Sequence, residues 1–71
     1  MKVKLKHVAS HRLAHFENCV GELEFLPNNV FTFKTSDREL TSTTITEIEE
    51  YDKHINIYTI NSVFAFKKKD K

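Results

Sequence analysis

The stretch Glu22-Leu23-Glu24-Phe25-Leu26-Pro27-Asn28-Asn29-Val30-Phe31-Thr32-Phe33 decides the fold class. Leu23 and Phe25 alternate with Glu22 and Glu24, the two-residue period of a strand with one face in a core and the other in water. Pro27, Asn28 and Asn29 supply a turn, because proline presets its own φ and asparagine tolerates the left-handed region. Residues 30–35 are then β-branched, aromatic or threonine apart from Lys34, with Phe31 and Phe33 on one face. Residues 20–35 are therefore expected to form a β-hairpin.

Reading outward, residues 36–39 break the pattern, and residues 40–46, rich in threonine and β-branched side chains, predict a strand near an edge. Ile55, Ile57 and Thr59 alternate with Asn56 and Tyr58; Asn61 and Ser62 make a turn, and Phe64 and Phe66 share a face, which predicts a second hairpin. Between the hairpins, residues 46–53 carry Ile48 among acidic residues and are expected to be a connector. On the amino-terminal side, Val3, Leu5, His7, Ala9, His11, Leu13 and His15 would share one strand face, with Lys2, Lys4, Lys6, Ser10 and Arg12 on the other. A strand is expected over residues 2–8 at least, and a loop or short helix over residues 9–18. The whole reads as all-β: a small, partly open barrel or sandwich of five to seven short antiparallel strands, with Phe25, Phe31, Phe33, Phe64 and Phe66 pointing inward.

A chain of 71 residues accommodates one domain, residues 1–71, ending in a lysine-rich tail over residues 67–71. Cys19 is the only cysteine, so no intramolecular disulfide can form, which favours a reducing, cytoplasmic setting. No run of signal-peptide or membrane-spanning length is present. The formal net charge of +1 conceals an uneven distribution: residues 1–16 carry four basic and no acidic side chains, residues 17–66 carry three basic against nine acidic, and residues 67–71 carry four basic against Asp70. If the two ends meet in space, they make a local basic patch without a strongly basic chain.

The order Cys19-Val20-Gly21-Glu22-Leu23-Glu24-Phe25, then Asn29-Val30-Phe31-Thr32-Phe33, Ile45-Thr46-Glu47-Ile48, Ile55-Asn56-Ile57 and Phe64-Ala65-Phe66 resembles the strand core of pleckstrin-homology-like domains, in the broad sense that includes GRAM and small bacterial members. The likeness covers roughly residues 16–67 and rests on hydrophobic spacing, a pattern many folds share. His15, Cys19 and Gly21 are similar to a pattern in small bacterial members. The resemblance implies a seven-stranded barrel closed by a carboxy-terminal helix, whereas the sequence ends at Lys71, soon after the Phe66 strand. A partner covering that open end is one expectation, and a five-stranded Sm or SH3-like barrel is the structural alternative.

Three constellations carry candidate chemistry. Lys2, Lys4, Lys6, Arg12, Lys67, Lys68 and Lys69 could hold an anionic lipid or phosphoinositide headgroup, although edge and terminal lysines also serve as plain solubilising surface. Nucleic acid is disfavoured as a partner, because the aromatic residues fall on inward faces. His11 and His15 are candidate ligands for a histidine-based metal site only if a helix or tight loop gathers them with Cys19, since residues four apart on a strand sit about 13 Å from each other; exposed or hydrogen-bonded histidines are the plainer reading. Cys19 beside His15 names no oxyanion-stabilising group, so no enzyme and no cofactor is expected. The leading expectation is a non-catalytic interaction or scaffolding module acting by protein binding or self-association, through an unpaired strand edge or open barrel end. Anionic lipid binding stands second, and Tyr51 and Tyr58 are the aromatic side chains expected at the surface.

Overall fold

A computed structural model describes residues 1–69. It contains β1 (Lys2–Val8), a 3-10 helix (His11–Phe16), β2 (Val20–Leu26), β3 (Val30–Lys34), β4 (Glu39–Thr41), β5 (Ile45–Glu50), β6 (His54–Thr59) and β7 (Val63–Lys68). The seven strands form one antiparallel sheet in the order β4-β3-β2-β1-β7-β6-β5. The chain is all-β, as expected, and its seven strands exceed the five of the smaller-barrel alternative. Among the described residues no helix is long and apolar enough to cross a membrane.

Both hairpins form where the alternation places them. Leu23 lies opposite Phe33 and Phe25 opposite Phe31, while Ile55 lies opposite Phe66 and Ile57 opposite Phe64. Asn29 takes φ 63° at the end of the first turn, a left-handed conformation that asparagine adopts at low cost.

The sheet is curled over its own inner face. β3 and β7 stand three places apart in the strand order, which in a flat sheet is a separation of about 14 Å. Yet the Phe31 and Phe64 ring centroids are 5.0 Å apart, edge to face at 89°, and Phe31 and Phe66 are 5.8 Å apart at 85°. Phe33 joins them 5.2 Å from Phe66, and Phe16 of the 3-10 helix closes one side, 6.2 Å from Phe33. Such aromatic contacts contribute about 0.5–1.5 kcal/mol each beyond the area they bury. Curling also brings the β2–β3 turn against the start of the edge strand β5: Ile45 N donates to the Asn29 carbonyl at 2.8 Å, and Asn29 Nδ2 donates to the Ile45 carbonyl at 2.9 Å.

Gly21, the only glycine, makes this curvature feasible on β2. A Cβ there would press into the Lys34 carbonyl group, its carbon at 2.8 Å and the Phe33 ring at 3.1 Å. The end of β3 lies against β2 at a point where no side chain fits.

Five expectations are corrected. Residues 45–50 are a strand, where a connector was expected over residues 46–53, because a bulge between Ile45 and Glu47 sets Ile45 and the exposed Ile48 three apart and hides the alternation. A second bulge between Leu5 and His7 ends the odd-numbered face of β1, so Val8 turns inward at 4% exposure while His7 is exposed. Residues 40–46 are not one strand: β4 stops at Thr41, and β5 starts the opposite sheet edge at Ile45. Phe25 lies on the inward side opposite Phe31 but remains 42% exposed. The expected lysine tail begins inside a strand, since Lys67 and Lys68 belong to β7; residues 70–71 lie outside the described residues.

Substituting Gly21→Ala should destabilise the domain by about 2–4 kcal/mol, measured as a lower urea midpoint, because backbone rather than a flexible side chain must move. An unchanged midpoint would mean that β3 does not need its close approach to β2.

Candidate functional site

The two basic ends of the chain meet because β1 pairs with β7. Lys4 lies directly opposite Lys67, and Lys67 directly opposite His54 on β6. Val3, Leu5, Ile55 and Phe66 are buried on the inner face, so strand alternation turns Lys4, His54 and Lys67 to the outer face in one row. The row widens at its end, where Lys69 N donates to the Lys2 carbonyl at 3.0 Å and Lys68 N to the Lys53 carbonyl at 2.9 Å. Lys2, Lys53, Lys67 and Lys69 are all exposed.

Like charges directly opposite on neighbouring strands repel, at a cost of about 0.2–1 kcal/mol in water. Two nearby carboxylates are engaged elsewhere. Glu22, opposite Lys2, accepts from the amino terminus at 3.2 Å, and Glu50 accepts from Lys68 Nζ at 2.8 Å. Among the described residues, Lys2, Lys4, Lys67 and Lys69 form no ion pair within 4.0 Å. Lys53, Lys67, Lys68 and Lys69 line a shallow cleft with Asp52. At its margin the exposed Tyr51 ring stacks on His54, with centroids 4.6 Å apart and planes at 24°. This surface offers mobile ammonium groups around an aromatic pair, and its repulsion would be relieved by a bound anion.

The residues expected to bind anions therefore divide. Lys2, Lys4, Lys67 and Lys69 come together, and Lys68 reaches them only from the inner side, tied to Glu50. Lys6 takes no partner in either ladder of β1 and sits at the bulge. Arg12 lies on the 3-10 helix beyond the far end of β1, which is about 20 Å long. Lys53 and His54 join the basic row although the sequence reading passed over them. Their only signal is the β6–β7 register, which linear charge counting does not hold.

His11 and His15 do lie in a helix, but a 3-10 helix sets residues four apart about 120° round and about 8 Å along its axis. Both imidazoles are exposed, and among the described residues no three His, Cys, Asp or Glu side chains gather as metal ligands. Cys19 Sγ donates to the His15 carbonyl oxygen at 3.8 Å rather than meeting the imidazole. His7 Nδ1 instead sits 3.3 Å from Glu17, whose carboxylate also accepts from Val8 N at 3.1 Å and fastens the 3-10 segment to β1.

On the acidic half of the same outer face, Tyr58 Oη donates to Glu49 Oε1 at 2.9 Å. That hydrogen bond, with partial desolvation and the charges of Glu49 and Glu47, raises the phenol above its ordinary pKa of 10.0. The bond's contribution to stability is present below that ordinary value and fades as pH rises through the higher folded-state value. Glu49→Gln should therefore lower the Tyr58 titration midpoint, read as tyrosinate absorbance near the end of an alkaline titration.

Lys67→Glu should raise stability by about 0.5–1 kcal/mol, since it replaces repulsion opposite Lys4 with attraction, and the urea midpoint should increase. A lower midpoint would show that the facing lysines do not repel.

No protein-family model, no curated protein and no solved structure matches this chain, so the arrangement of its own residues carries the functional reading.

Proposed function

We propose that this domain is a non-catalytic binding module whose working surface is the basic outer face of β1 and β7, and that the surface recognises anionic lipid headgroups. The observation that carries this reading is Lys4 opposite Lys67, continued by Lys2, Lys69 and Lys53. Packing does not require lysine at these outward positions, and their repulsion costs stability. Function accounts for that cost, because each lysine near an anionic membrane surface contributes about 1 kcal/mol of attraction. Phosphate also suits ammonium groups on flexible stems, which can converge on several oxygens. The pleckstrin-homology-like resemblance and a cytoplasmic location, favoured by the lone Cys19, belong to the same proposal.

Protein binding or self-association is the second reading, favoured by the outer edge of β5. That edge strand exposes Ile48 at 44%, and Ile60 beyond β6 is 66% exposed. Glu47, Glu49 and Glu50 on the same strand oppose indiscriminate pairing, so an edge partner would have to complement their charge.

Sedimentation with anionic vesicles separates the two readings. The domain should co-sediment with phosphatidylserine or phosphoinositide vesicles, dissociate as salt rises through about 0.3 M, and ignore phosphatidylcholine. The Lys4→Glu/Lys67→Glu variant should lose at least about tenfold in affinity, while Lys6→Glu on the bulge should change it far less. Equal binding by the double variant, or binding that survives high salt, would remove the lipid reading. A concentration-dependent dimer abolished by Ile48→Lys would put the β5 edge in its place.

A further inference from the structure

The separation of Arg12 from the lysine row leaves one cation without a role, and Arg12 stands over a second cleft. That cleft, of about 540 Å³, opens where three connections converge: the start of the 3-10 helix, the β4–β5 link and the β6–β7 turn. Its volume lies in the range of small-molecule sites, which favour the mouths of β-barrels. The chain has ten acidic residues, yet no carboxylate lines this cleft, and Arg12 is its only charged side chain. Among the described residues Arg12 forms no ion pair.

The walls are hydroxyl and amide groups over an apolar floor. Leu13 and Phe64 supply the floor. Ser42 and Thr59 are committed to the fold: Ser42 Oγ accepts from Phe31 N at 2.9 Å, and Thr59 Oγ1 accepts from Ser62 N at 3.1 Å. These bonds fix the two connections and so fix the shape of the cleft. Ser10, Thr43 and Asn61 line it with side chains that hydrogen bond to no described residue. Ser62 also lines the cleft, but its hydroxyl oxygen is shielded from solvent and is not presented to a ligand.

We infer that this cleft is a binding site for a small polyhydroxylated anion, of the size and chemistry of a sugar acid or a sugar phosphate. Arg12 binds the carboxylate or phosphate, for which its planar guanidinium is suited. The hydroxyl and amide rim exchanges hydrogen bonds with the ligand hydroxyls, and the Leu13–Phe64 floor takes the apolar face of the carbon skeleton. This site lies at the opposite end of β1 from the lysine row, and the inference does not rest on lipid binding.

Amide NMR titration of the whole chain with gluconate, glucose 6-phosphate and glucose tests it. The expected result is saturable shifts at Ser10, Arg12, Thr43 and Asn61 with gluconate or glucose 6-phosphate, the stronger of the two identifying the anionic group. Glucose should bind at least about tenfold more weakly, the worth of one charge-assisted contact. Arg12→Ala, an exposed substitution compatible with folding, should remove that preference, and Thr43→Glu should abolish binding of both anions. Lys4→Glu/Lys67→Glu should leave the shifts intact. The proposal is overturned if no probe gives saturable shifts, if glucose binds as well as the anions, if Arg12→Ala binds them as the parent does, or if the shifts fall on the lysine row.

Discussion

Val3 and Leu5 on β1 are fully buried, and Leu5 lies opposite Phe66 on β7; this antiparallel contact between the two ends of the chain is the constraint from which the rest follows. β2, β3 and β4 are one set of consecutive strands and β5, β6 and β7 another, and β1 is the strand that pairs with both sets. Without it each set is a three-stranded sheet with one apolar face open to water. With it they share a sheet that curls until Phe31 of one set meets Phe64 and Phe66 of the other. Burial of these rings is long-range in sequence, so the stabilisation arrives only after β1 and β7 have met.

The same pairing sets the chemistry of the outer face. A strand has two sides, and wherever Val3, Leu5 and Phe66 go inward, Lys4 and Lys67 must go outward at the same level. The inner face gains apolar contact while the outer face accumulates repulsion, and neither can change register alone, because a one-residue slip would exchange lysine and core residues. Lysines here are thus held together by the core beneath them, so a surface with an unfavourable self-energy stays organised.

How much of this was legible follows from where the two-residue period runs unbroken. The hairpins at Leu23–Phe33 and Ile55–Phe66 keep strict alternation and were readable, as was the inward set of phenylalanines apart from Phe25. β5 was not, because its bulge spaces Ile45 and Ile48 by three and surrounds them with glutamates, which resembles a solvated connector. The bulge in β1 reversed the faces of His7 and Val8 for the same reason. Of the candidate site, the basic ends were visible as composition, but their meeting was only a condition. The addition of His54 and the departure of Arg12 depend on registers and on a 3-10 helix that residue spacing does not encode.

The glutamates on β5 complete the electrostatic logic. Glu47 and Glu49 occupy the outer face opposite Tyr58 and Asn56, and Lys4, Lys67 and His54 occupy the same face toward β1, so one sheet surface changes sign across β6. A surface of this kind would turn its basic row toward an anionic plane and its acidic edge away from it. Tyr58 donates to Glu49 and so draws that carboxylate toward the β6 side of the acidic strip, while Lys68 engages Glu50 from the inner face. Those two contacts hold both carboxylates in defined hydrogen bonds to side chains of β6 and β7. The boundary between the charges is therefore set by hydrogen bonds as well as by strand position.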